Sequence, residues 1–137
     1  MLEDEILAVV VCDDIRKEIT NKDILIGVYA ADIVVPIFPV ALALAFWIEI
    51  NPKKCGHREL SFRVVSQGNT VEFTIGMEIS GSESFGLPVP ALPVLVRSPG
   101  EIRLEVKDAD GWRLLKSKKV KQGLVGGPFG TPASGDK

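Results

Sequence analysis

From Val71 to Ile79 the chain alternates without a fault: Val71, Phe73, Ile75, Met77 and Ile79 are apolar, and Glu72, Thr74, Gly76 and Glu78 between them are polar or small. Successive strand residues point to opposite faces, so this period of two predicts a strand with one face in a core and the other in water. Val40 to Ile50 repeats the period, with Val40, Leu42, Leu44, Phe46, Ile48 and Ile50 against Ala41, Ala43, Ala45, Trp47 and Glu49. Leu60, Phe62 and Val64, and then Ile102, Leu104 and Val106, predict two more half-buried strands. The turn Asp108-Ala109-Asp110-Gly111 leads into another over Trp112 to Val120. Ile6 to Val11 is continuously apolar, and Asp23 to Tyr29 is apolar on both faces, which predicts two central strands. Asp13 to Glu18 between them reads as a strand end running into a bulged loop or a single helical turn.

Turn chemistry separates these segments. Thr20 to Asp23, Gln67-Gly68-Asn69 and Ser98-Pro99-Gly100 all place residues that tolerate or preset turn geometry between apolar runs. Ile33 to Val35 is a short edge strand ended by Pro36 and Pro39, and Val94 to Val96 is another short strand. Ser80 to Pro93, with prolines at 88, 90 and 93, is expected to be a long irregular loop. Strands at roughly ten-residue spacing with no sustained 3.6-residue period predict an all-β fold. The expected form is an antiparallel β-sandwich of about seven to eight strands, immunoglobulin-like in general architecture, with a closed barrel as the alternative. The domain is expected over residues 1–122, followed by a Gly/Pro-rich disordered tail over 123–137.

Composition narrows the function classes. A chain of 137 residues with 46% hydrophobic content forms one globular domain rather than a disordered polymer. Its net charge of -2 lacks the basic balance of nucleic-acid binders, so no nucleic-acid partner is expected. The longest apolar run, the sixteen residues from Ile33 to Ile48, is broken by Pro36 and Pro39 and falls short of the roughly 20 residues a membrane helix needs, so no membrane span is expected. Glu3, Asp4 and Glu5 stand where a secretory signal would carry positive charge, which predicts a cytoplasmic location with Cys12 and Cys55 as thiols. Residues 1–32 hold eight acidic and three basic side chains and residues 97–121 hold eight basic and four acidic, so the first and last strands are expected to be neighbours that neutralise each other, with a dipolar surface for self-association as the alternative.

Candidate chemistry is concentrated at Asp13, Asp14, Arg16 and Glu18, ionisable groups pinned between two apolar strands and the candidate binding residues. Arg16 is expected to pair with Asp14, Glu18 or another nearby carboxylate at the end of the first strand. Cys12, Cys55 and His57 are one ligand short of a closed zinc site, no Gly-x-Ser-x-Gly or Gly-Lys-Ser/Thr motif occurs, and no metal, cofactor or catalytic residue is assigned. Ala41, Ala43, Ala45 and Trp47 would face outward and form an apolar interface. A second copy could cover it as a homodimer, or the Ser80 to Pro93 loop could fold over it. Lys116, Lys118, Lys119 and Lys121 read as a solvated strand edge.

The string Cys12-Asp13-Asp14-Ile15-Arg16-x-Glu18, then Lys22, Leu25 to Tyr29, and Val35-Pro36 with Pro39 resembles a family of small, mostly bacterial proteins with no assigned activity. The resemblance covers roughly the first third of the chain and implies a β-sandwich. The function expected from residues and resemblance together is a non-enzymatic binding or assembly module for a protein partner or a second copy. The alternative is a metal-dependent or hydrolytic enzyme using Asp13, Asp14, Arg16 and Glu18 with His57.

Overall fold

The computed structural model describes residues 4–124; most of the tail expected over 123–137 lies outside the described residues. Among the described residues nine strands follow in order: β1 (Glu5–Lys17), β2 (Asp23–Val28), β3 (Ile33–Val35), β4 (Val40–Asn51), β5 (Gly56–Ser66), β6 (Asn69–Ile79), β7 (Phe85–Val96), β8 (Gly100–Asp108) and β9 (Gly111–Gln122). They form a four-stranded sheet ordered β2-β1-β4-β7 and a five-stranded sheet ordered β3-β9-β8-β5-β6. The fold is all-β and sandwich-like, and among the described residues no helix is long and apolar enough to cross a membrane.

The period of two decides which residues meet between the sheets. Leu44, Phe46, Ile48 and Ile50 of β4 are buried with Phe62 and Val64 of β5 and Leu104 and Val106 of β8 in one core. Phe62 stands opposite Val106 on one side and Phe73 on the other, with the two phenyl rings stacked at 5.5 Å. Aromatic and branched side chains facing across both ladders bury large apolar areas at little rotamer cost, which is why the alternation was so regular.

Four expectations are corrected. Residues 85–93 are strand, not loop, and run on into the expected strand Val94–Val96: the three prolines sit on β7, an edge strand that among the described residues pairs with β4 alone, where a missing N–H on the free side costs no ladder bond. Asp23–Val28 is an edge strand rather than a central one, and Ile24, Ile26 and Val28 are exposed. The Asp13 to Lys17 segment continues β1 as strand. The ladders are not all antiparallel, because the chain crosses from β2 to the other sheet and lays β3 parallel to β9, Ile33 beside Val120. Gly123, assigned to the tail, donates its backbone N–H to Val35 at 2.9 Å.

The first and last strands lie in different sheets, and their charges meet only locally. Lys121 reaches Asp32 at 3.5 Å, and Lys118 donates to the Ala31 carbonyl at 3.2 Å. Asp4, buried at the start of β1, ties the two sheets together: it accepts from Arg58 Nε at 3.1 Å and from the Lys53 backbone N–H at 3.3 Å.

Phe62, with no exposed surface, tests the core. Phe62→Ala should cost about 3–5 kcal/mol in chemical denaturation, the range for large aromatic truncations in packed interiors. A loss below about 1 kcal/mol would place this ring outside the cooperative core.

Candidate functional site

β1 has two partners at different heights. Its first half pairs with β4 and its second half with β2, and Cys12 alone is shared, opposite Ala45 on one side and Val28 on the other. Trp47 stands opposite Val10, and Asp23 opposite Lys17. In a straight strand the seven steps from Val10 to Lys17 would separate those pairs by roughly 23 Å. Instead the Trp47 indole N–H donates to Asp23 Oδ2 at 2.9 Å. β1 therefore bends near Cys12, and the outer half of the β1–β2 hairpin folds back across the outward face of the four-stranded sheet.

Every neighbouring observation agrees with that geometry. Ala45 and Cys12 have no exposed surface, yet neither belongs to the core between the sheets; the hairpin covers them from outside. A cavity of about 380 Å³ under the hairpin is lined by Val10, Lys17, Asp23, Leu25, Trp47 and Gly86. Further along, Ile15 and Lys17 come against Pro88 and Pro90 of β7. Gly86 is required by close approach, because a Cβ there would run into the Trp47 indole. Gly27, at φ 68°, turns β2 through the bend where Asp13 lies against it, a conformation that a side chain would strain.

The cleft joins an indole, a carboxylate and an ammonium. Lys17 Nζ lies 2.8 Å from Asp23 Oδ1, and the Asp23 side chain is only 13% exposed. Burial pushes the Asp23 pKa up, but hydrogen bonds from Lys17 and Trp47 outweigh it and hold the carboxyl below its ordinary value. A lowered folded pKa means that this clasp contributes its full stability above the ordinary carboxylate range and loses it as pH falls through the folded value. Burial likewise raises the Cys12 thiol, and burial together with the Asp13 hydrogen bond raises the Tyr29 hydroxyl.

The four candidate binding residues do not converge. Asp13 accepts from the Tyr29 hydroxyl at 2.6 Å. Asp14 accepts from the Ile15 N–H at 2.9 Å and from Arg16 Nε at 3.1 Å, and with the Arg16 side chain 70% exposed that pair is worth no more than about 1 kcal/mol. Glu18 closes the hairpin turn with Thr20 and with Lys22, whose ammonium is 3.2 Å away. His57 is on β5, away from all of them, where Nδ1 meets Glu78 at 2.5 Å and Nε2 meets Glu59 at 3.4 Å. Cys12 is buried, Cys55 is exposed, both are free thiols, and among the described residues no group of three or more His, Cys, Asp and Glu side chains could hold a metal ion.

The alanine row is divided. Ala41 and Ala43 are exposed beside Leu95 and Pro93, whereas Ala45 is buried and Trp47 half-buried by the hairpin. The expected covering loop is itself β7, and a different segment of the same chain does the covering. On the other sheet, sequence patterning did not reveal a second polar assembly: Glu105 is buried between Arg63 at 2.6 Å and Arg103 at 2.9 Å, with Arg63 stacked 4.4 Å over Trp112. Burial raises the Glu105 pKa, the two guanidinium hydrogen bonds lower it further than that, and the net shift is downward. The signal available for it was the outward row of alternating charge around Trp112. None of the family models, curated proteins and solved structures compared with this chain matches it.

Two outcomes follow from this geometry. Ala43→Glu should leave stability within about 0.5 kcal/mol, whereas Ala45→Glu, which forces an unpaired carboxylate beneath the hairpin, should cost several kcal/mol or unfold the chain. Equal effects in thermal and urea unfolding would refute the division of the row. The hydrogen bond that His57 donates to Glu78, with a weaker one to Glu59, raises the His57 pKa above 6.5. The resulting stabilisation is complete below that value and fades as pH rises through the folded pKa. The NMR titration midpoint of His57 should therefore lie above 6.5 and move down in Glu78→Gln.

Proposed function

We propose that this protein is a non-enzymatic binding or assembly module, immunoglobulin-like in general architecture, that acts by offering strand and sheet surfaces to a protein partner or a second copy in a reducing cytoplasm. The observation that carries the reading is β6, an eleven-residue edge strand whose outer side has no partner among the described residues. An open edge presents a row of backbone donors and acceptors, and pairing with another strand is the interaction it suits. The exposed pairs Ala41 with Leu95 and Ala43 with Pro93 add a smaller apolar surface on the other sheet.

The enzymatic alternative has weaker support. Asp13, Asp14, Arg16 and Glu18 are engaged in shaping the β1–β2 hairpin, and His57 is bonded to Glu78 and Glu59 instead of to that cluster. The two separate free thiols suit a reducing compartment. Membership of the small bacterial β-sandwich family belongs to the same proposal. It is supported by the interlocking of its signature positions Asp13, Gly27 and Tyr29 at the bend of β1.

The test uses purified full-length chain in elemental analysis and in hydrolysis assays with ester and phosphoester probes. Both are expected to be blank. A stoichiometric metal, or hydrolysis abolished by Asp13→Asn or His57→Ala, overturns the reading.

A further inference from the structure

We propose that the occupant of the β6 edge is a second copy of this chain, the two β6 strands pairing antiparallel about a two-fold axis at Thr74 to join two five-stranded sheets into one. This rests on the assembly reading and specifies its partner.

The other terminal strands of the two sheets, β7, β2 and β3, are blunted in ways that discourage strand addition. β7 carries Pro88, Pro90 and Pro93 and an irregularity opposite Leu44 and Phe46. β2 has six residues and a left-handed Gly27, and β3 has three residues and stops at Pro36. The unpaired stretch of β1 is bulged between Ile6 and Ala8, and that of β9 lies across the bulge at Leu104 and Glu105. Proline, bulges, brevity and twist are the usual protections of a sheet edge. β6 is long, matches β5 residue for residue from Asn69 to Ile79 without a bulge, and contains no proline, lysine or arginine; its charged residues are Glu72 and Glu78. Its inward residues Val71, Phe73, Ile75 and Met77 remain only half-buried.

The turn before β6 sets which backbone groups are free. Gln67 and Gly68 both have positive φ, at 50° and 86°, and Ser66 and Asn69 close the two-residue turn between β5 and β6. In such a turn the closing residues bond each other, so Asn69 and every second residue after it direct N–H and C=O to β5. Thr70, Glu72, Thr74, Gly76 and Glu78 therefore direct theirs to the open edge. These five can exchange about ten hydrogen bonds with the same five of a second copy.

Charge and length then select the register. Thr74 is the midpoint of Asn69–Ile79, so an axis there overlaps the strands completely. It sets Glu72 against Gly76 of the second copy, Glu78 against Thr70, and Thr74 against itself. On the inward face it sets Phe73 against Ile75 and Val71 against Met77, apolar pairs that extend the core row across the junction. An axis at Ile75 would oppose Glu72 with Glu78, and one at Glu72 would oppose that carboxylate with itself. An axis at Phe73 avoids like charges but leaves Glu78 and Ile79 unpaired.

Gly76 makes the register testable, because a Cβ there meets His57 Cε1 at 3.6 Å, Glu59 Cγ at 3.9 Å and the Arg58 carbonyl oxygen at 4.0 Å, ordinary contacts that leave room for a side chain. Sedimentation velocity and light scattering on the full chain, from low to high micromolar, should show a reversible dimer. Gly76→Lys puts an ammonium opposite Glu72 of the second copy at two symmetric places and should tighten it; Gly76→Glu should loosen it. Each change should be roughly tenfold in dissociation constant. Thr74→Pro removes an outward N–H without touching the β5 ladder and should give folded monomers by circular dichroism; if that variant unfolds, the Gly76 pair still decides. A wild-type chain monomeric at high micromolar concentration overturns the proposal, as does a dimer that Gly76→Lys and Gly76→Glu shift in the same direction. Either result leaves the non-enzymatic binding reading standing with a different protein on the edge, whereas a metal or hydrolytic activity removes that reading whatever the oligomeric state.

Discussion

The bend in β1 is the constraint on which the four-stranded sheet depends. One strand must serve β4 with its first half and β2 with its second, and only Cys12 is common to both ladders. A straight strand would leave the β1–β2 hairpin projecting into water with Ile15, Leu25 and the outward side of β4 uncovered. Bending returns the hairpin over that face, buries Ala45 and Cys12, and brings Asp23 to the Trp47 indole. The small residues along this path have distinct duties: Gly27 supplies the backbone conformation of the bend, Gly86 leaves room for the indole, and Ala45 leaves room for the hairpin.

Polar groups on the two sheets follow one rule at different places. Asp23 is held under the hairpin by Lys17 and Trp47, and Glu105 is held on the opposite sheet by Arg63 and Arg103. In both, burial works against the charged form and charge-assisted hydrogen bonds more than compensate, so the carboxylates stay ionised where an unpaired one would be costly. These are clasps between elements, and their geometry serves the fold. The Asp13 to Glu18 cluster is similar in kind but exposed, and its contribution is to turn the chain rather than to tie layers together.

The two sheets differ in how their edges end. The four-stranded sheet finishes in a proline-bearing β7 and a short β2 that the bend carries away from the sheet plane. The five-stranded sheet finishes on one side in three-residue β3 and on the other in β6, which is long and free of proline and bulge. Of the four terminal strands of the two sheets, β6 is therefore the long one without proline or bulge.

Much of this was legible in the sequence by itself. Alternation is a local property, and residues such as Val71 to Ile79 and Leu44 to Ile50 carry strand, face and core assignment in their own order, because a period of two has only one way to bury its apolar set. The all-β class and the core followed from it. Which strand lies at an edge was not legible, since that depends on partners far away in the chain: Ile24, Ile26 and Val28 look like a central strand until β2 is seen to pair, among the described residues, with β1 alone. The prolines of β7 read as loop for the same reason, because a missing N–H is harmless only where no strand waits for it. The cover over Ala45 and Trp47 required a bend that brings residues 23 and 47 together, and no pattern within either segment encodes a contact that only the path of the folded backbone creates.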